Sequence, residues 1–158
     1  MDAEKKFMIK AIEEARSGSS VGDGGPFGVV IAKDGEALAS AHNTVLADND
    51  PTRHAEIKAI SAASRKLGNY DLSGCDIYST TEPCPMCFGA IHWARIDRLF
   101  YGTGIEDVKK LGFNELAIPA ARMKKIGSSP LEIRGGFMRE ECEELLRFWE
   151  NLPDRRVY

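Results

Sequence analysis

The stretch CDIYSTTEPCPMCFGAIHWARIDRLFYGT, residues 75–103, limits the fold more than any other part of the chain. CDIYSTT has the apolar and β-branched content of a buried strand. Pro83 stops it, PMCFGAIHWAR starts a helix at once, and IDRLFYGT reads as the next strand. Upstream, PFGVVIAK and EALASAHN flank Asp34-Gly35, a dipeptide that favours a tight hairpin turn. RHAEIKAISAASRKLG reads as a helix closed by Gly68. Strands alternating with helices imply an α/β sheet of about five strands, covered on both faces.

The remaining segments fit around that sheet. Apolar positions at helical spacing predict an amphipathic helix over 3–16, and SGSSVGDGG after it predicts a flexible loop. DNDPT ends a further loop. Beyond Gly104, IEDVKKLG and ELAIPAARMKKIG predict short helices, PLEIRGGF an edge strand and REECEELLRFWENL a terminal helix. The tail PDRRVY, residues 153–158, would be exposed in an isolated monomer. No repeat or break in composition divides the chain, so residues 1–158 are expected to form a single domain.

Composition excludes some classes of function. No apolar run approaches the roughly 20 residues of a membrane span, and the first residues lack a signal-peptide core. A cytoplasmic protein is expected. In that compartment four cysteines point to metal binding or catalysis rather than disulfides. The net charge of −3, with RMKKIG as the densest basic patch, argues against a nucleic-acid partner.

Cys84 and Cys87 sit where the strand gives way to the helix. Pro85 suits the first helical position, whose N–H lacks a partner anyway, so Cys84 becomes the N-cap and Cys87 the third helical residue. Free N–H groups and the positive end of the helix dipole favour thiolate there, the form that binds metal. Zinc needs three or four protein ligands. Of three histidines, His54 opens the other strong helix, in PTRHAEI. If both helices start side by side at one end of the sheet, His54, Cys84 and Cys87 can share Zn2+ and leave its fourth position to water. Glu56, in the first turn, would reach the same space as a general base that later returns the proton. The composite His-x-Glu…Pro-Cys-x-x-Cys marks zinc deaminases of nucleobases.

Blander readings stand beside this one. A Cys-x-x-Cys pair also fits half of a structural zinc site or a redox pair, although neither needs a carboxylate beside the histidine. His42 and His92 read as core or surface residues, Cys75 and Cys142 as structural. Trp93 and Trp149 fit the core. A zinc-stabilised binding protein without turnover is the non-enzyme alternative.

From about residue 20 to 115, and at Tyr158, the sequence resembles the cytidine-deaminase superfamily. GGPFGVVIAKDG, HN, NDPTRHAEI and TTEPCPMCFGAIHWARI resemble its guanine deaminase branch. The resemblance implies a three-layer α-β-α sandwich with a mixed sheet, and an enzyme converting guanine to xanthine and ammonia. It assigns Glu115, in LGFNEL, a proton-shuttling role, with Asn114 replacing an acid usual in the branch. It assigns base contacts to Phe27, Asn43, Ala55 (backbone N–H), Glu82 (carbonyl), Trp93 and Tyr158. It also implies a homodimer in which residues 153–158 cross over to close the partner's site. Adenosine in tRNA, guanosine, cytosine and other amino-heterocycles remain alternative substrates.

Overall fold

The computed structural model describes residues 2–158. Helix α1 (Ala3–Ser20) begins with the Asp2 carboxylate accepting from the Glu4 N–H at 3.3 Å. It runs one turn past the expected end at residue 16. Ser19 Oγ donates back to the Ala15 carbonyl at 2.7 Å, and Gly18 lies so close to the His42 ring that no side chain fits there. The loop expected over 17–25 is shortened accordingly.

Strands β1 (Gly28–Lys33) and β2 (Glu36–His42) form the expected hairpin. Asp34 and Gly35 take φ of 51° and 79°, the left-handed pair that a two-residue turn of this kind requires. A short helix α2 (Val45–Asp48) follows, which no periodicity announced. Asn43 Oδ1 accepts from the Val45 N–H, and the Asp23 carbonyl accepts from Leu46 and Ala47. Helix α3 (Ala55–Leu67) ends at Gly68, with φ of 64°. Then come β3 (Cys75–Thr81), α4 (Pro85–Trp93), β4 (Arg98–Thr103) and α5 (Ile105–Lys109). Helix α6 (Ala120–Gly127) starts five residues later than ELAIPAARMKKIG suggested, because Pro119 keeps the residue before it out of helical geometry. Strand β5 (Glu132–Gly135) and helix α7 (Arg139–Glu150) complete the elements.

The sheet order is β2-β1-β3-β4-β5. β1 pairs antiparallel with β2 and β3, while β3–β4 and β4–β5 are parallel, so the sheet is mixed. Alternate strand residues feed opposite faces. Val29, Ile31, Ile77 and Leu99 pack with α3 and α4, whereas Val30, Tyr78 and Phe100 pack with α1 and α7. Two-sided burial explains why β1 reads as a nearly unbroken apolar run. Each fully buried side chain of this kind stabilises the fold by about 1.5–3 kcal/mol. The layers are α, β and α, as expected. Among the described residues no helix is long and apolar enough to cross a membrane.

A third cluster lies at one end of the sheet. Val108, Phe113, Leu146 and Trp149 are buried there, with Phe27, Leu152 and Tyr158 packed against them. It joins the segment after β4 and the tail to α7, and it borders the site.

Candidate active site

Two helices begin at the same end of the sheet. His54 is the N-cap of α3 and Cys84 the N-cap of α4, both in extended backbone geometry. Neither side chain caps its own helix. They turn toward a common centre instead. Cys84 Sγ lies 3.7 Å and Cys87 Sγ 3.5 Å from His54 Nδ1, and the three donor atoms all fall within 4.8 Å of one another. With ordinary Zn–S and Zn–N lengths, tetrahedral zinc holds sulfur and nitrogen roughly 3.6 Å apart. The donor set therefore fits that ion in both chemistry and spacing.

The electrostatics point the same way. The Cys87 thiol's bond to Cys84 draws the Cys84 thiol down to about 4, against burial and with help from His54. Cys87 moves the opposite way, pushed up by that same neighbour and by burial. Two adjacent thiolates repel, so only a cation lets both ionise. Burial pushes His54 down, but its bond to Cys84 and the nearby negative groups outweigh that and leave it raised.

Glu56 is only 7% exposed and stands beside this cluster without belonging to it. Its Oε2 accepts from Cys87 Sγ at 3.4 Å and its Oε1 from Ser79 Oγ at 3.4 Å. Burial raises its pKa, partly opposed by the His54 charge. Glu115 faces the same space. Burial first, then the Cys84 and Glu56 charges, push its carboxyl up to about 7, so it gains a proton easily near neutrality.

These groups line a cavity of about 240 Å³, below the roughly 300–1,000 Å³ typical of drug-sized sites. Phe27, Phe113 and Tyr158 wall one side, with successive ring centroids 5.2 Å apart and edge-to-face. Tyr158 closes the cavity: its hydroxyl accepts from the Gly25 N–H at 3.1 Å and its carbonyl from the Asn114 N–H at 2.9 Å. Burial holds that hydroxyl neutral by raising its pKa. Asn43 Nδ2, also at the cavity, is the one buried side-chain nitrogen or oxygen among the described residues with no partner. An unpaired buried donor costs about 1–3 kcal/mol, and a bound acceptor would remove that cost.

Of the residues singled out from sequence, His54, Glu56, Cys84, Glu115, Phe27, Asn43, Glu82 and Tyr158 meet at this cavity, with Cys87 beneath it. Ala55 is fully buried in the first turn of α3 and contributes no wall. Trp93 does not line this chain's cavity. It is 81% exposed at the far end of α4, about 13 Å along the helix axis from Cys84. It is not a core residue either, whereas Trp149 is. Tyr158 is tucked in although the tail before it is mostly exposed. Ser79, Met86 and Phe113 line the cavity without having been singled out. The aromatic in LGFNEL was the available signal for Phe113; nothing in the local pattern marked the other two.

Comparison with known proteins agrees with this geometry. Residues 1–103 match the family model described as the cytidine and deoxycytidylate deaminase zinc-binding region. The chain is 39% identical over 155 residues to a guanine deaminase of Bacillus subtilis, covering 96% of this chain and 97% of that one. It is likewise 39% identical over 141 residues to a tRNA-specific adenosine deaminase of Agrobacterium fabrum, covering 89% and 90%. A solved guanine deaminase from Nitrosomonas europaea superposes with a TM-score of 0.82 at 31% identity, over 90% of this chain and 82% of that one.

Proposed function

This chain belongs to the cytidine and deoxycytidylate deaminase family, and on that premise we propose that it is a zinc-dependent aminohydrolase converting free guanine and water to xanthine and ammonia. The observation that carries the choice of a free base is Tyr158, seated across a cavity too small for a nucleotide strand. The near-full-length likeness to guanine deaminases supports the choice of guanine.

His54, Cys84 and Cys87 would hold the ion. Bound zinc supplies a nucleophile at neutral pH by lowering the pKa of its water to about 7. The remaining work falls to the chain. Phe27 and Phe113 form one aromatic wall against which the flat ring packs, and the free Asn43 Nδ2 donates to an acceptor on its edge. Glu56 takes the proton of the attacking water and delivers it to the ring nitrogen beside C2. Glu115, easily protonated, donates to the departing amino group, which leaves as ammonia, and the proton of the hydroxyl left on C2 returns to the carboxylates as the carbonyl forms, which resets Glu115. Tyr158 excludes bulk water, which strengthens each of these interactions.

A panel assay tests this reading. Purified protein is incubated with guanine, adenine, cytosine, guanosine and a tRNA anticodon loop, and released ammonia is measured. Guanine is expected to react well and guanosine poorly, because ribose has no room under Tyr158. Faster release from the anticodon loop would favour the adenosine reading suggested by the Agrobacterium relative.

The same proposal includes a homodimer. Helix α4 is apolar except for His92 and leaves Trp93 81% exposed on its outer side, a face that is normally covered when a helix is so apolar. The tail contacts made by Tyr158 are of a kind that a partner's tail can make equally. Complementation decides: chains carrying Glu56→Ala are mixed with chains lacking residues 155–158. Recovered activity is expected if tails cross between subunits, since one competent site then forms; none would confine the tail to its own chain. The four unpaired cysteines suit a reducing cytoplasm.

A further inference from the structure

We infer that Glu82 is a positioning residue: its carboxylate ties down both ends of the segment bearing Glu115 and so sets where that carboxyl stands in the cavity. The inference rests on the role proposed above for Glu115.

Glu82 directly follows β3, where its N–H donates to the Thr103 carbonyl at 2.7 Å and holds its backbone beside the end of β4. From there its two oxygens reach different helices. Oε2 accepts from the Ile105 N–H at 3.0 Å and Oε1 from the Ala120 N–H at 2.7 Å. Ile105 and Ala120 are the first residues of α5 and α6, whose opening N–H groups find no partner inside their own helices. Neither helix is capped by the side chain of its own N-cap residue, Gly104 or Pro119. One carboxylate supplies both missing acceptors, through charge-assisted bonds about twice as strong as neutral ones.

The segment between these two anchors carries Phe113, Asn114, Glu115 and Leu116, all of which border the cavity. Residues 113–119 have no helix or strand of their own to hold them. Glu115 therefore sits on irregular backbone that is held beside it by the Asn114 N–H bond to the Tyr158 carbonyl and the packing of Phe113, and at the two flanking helix starts by Glu82. The Glu82 side chain leaves from the loop that also bears Cys84. It sets the spacing between the metal ligands and the second carboxyl group, and a misplacement of about 1 Å in such a spacing can cost roughly 100-fold in rate.

Glutamine at this position keeps the shape but has one acceptor oxygen, so it can satisfy only one of the two N–H groups. The test is a double-mutant cycle on the zinc-loaded protein with Glu82→Gln, Glu115→Gln and their combination. Glu82→Gln is expected to lower kcat by roughly 10- to 100-fold, to move KM less, and to leave zinc content native. Hydrogen exchange at the Ile105 and Ala120 N–H groups should accelerate. In the Glu115→Gln background the same change should cost no more than about 2-fold, because groups acting as one unit are not additive. An equal loss in both backgrounds, an unchanged kcat or a loss of zinc would each overturn the inference. A native rate for Glu115→Gln alone would instead sink the role proposed for Glu115. If Glu82→Gln does not fold, Glu82→Asp, too short to reach both N–H groups, takes its place in the cycle.

Discussion

Glu56→Ala is expected to lower kcat by roughly 10²- to 10⁴-fold while zinc stays bound. The two halves of that result have separate causes. Glu56 is not one of the three grouped donors, so removing it leaves the ion's ligands in place. It is, however, the buried carboxylate in contact with Cys87 and Ser79, and burial favours its uptake of a proton. A group so poised can accept a proton from water and pass it to the ring within one turnover. Glu56→Gln, which keeps the volume and an acceptor for Ser79, should lose as much rate with no loss of thermal stability. Metal analysis beside steady-state kinetics decides the matter; near-native turnover by either variant would remove Glu56 from proton transfer.

Cys87→Ser should weaken zinc binding by at least about 100-fold, since changes to groups that merely support a ligand already cost 10–100-fold. Cys87 is fully buried at the third position of α4, 3.5 Å from His54 Nδ1, and among the described residues no further cysteine, histidine or carboxylate joins the group to replace it. A serine hydroxyl is far harder to ionise than a thiol that a cation can strip of its proton. The change should also reach stability. A ligand at 1,000 times its Kd contributes about 4 kcal/mol to the folded state. Melting with and without chelator should therefore differ for the parent chain and coincide for the variant. Full zinc occupancy in Cys87→Ser would contradict the ligand set.

The metal ligands were legible because each sits at a helix start with its own local mark: Pro85 behind Cys84, and the sequence PTRHAEI around His54. Their meeting depended on β1, β3 and β4 being neighbours, which strand–helix alternation implied without fixing the strand order. Glu115 was legible only through family likeness. It lies on irregular backbone held by Glu82 and by packing of Phe113, and such long-range anchors leave no periodic trace. Trp93 was likewise assigned a base contact only through family likeness, and it stands 81% exposed away from this chain's cavity. The end of α1 was misjudged for a different reason: Ser19 and Gly18 are poor helix formers, but a back-bond to Ala15 and the His42 ring favour the helical form.

The division of the sheet into two packed faces bears on how this protein can change over time. The face formed by Met8, Val30, Tyr78, Phe100 and Leu145 supplies none of the cavity wall. Drift or deliberate redesign on that side can trade melting temperature up or down while the chemistry stays untouched. The opposite face has no such freedom, since α3 and α4 both pack there and carry the reactive groups. Thermal hardening of this scaffold belongs under α1.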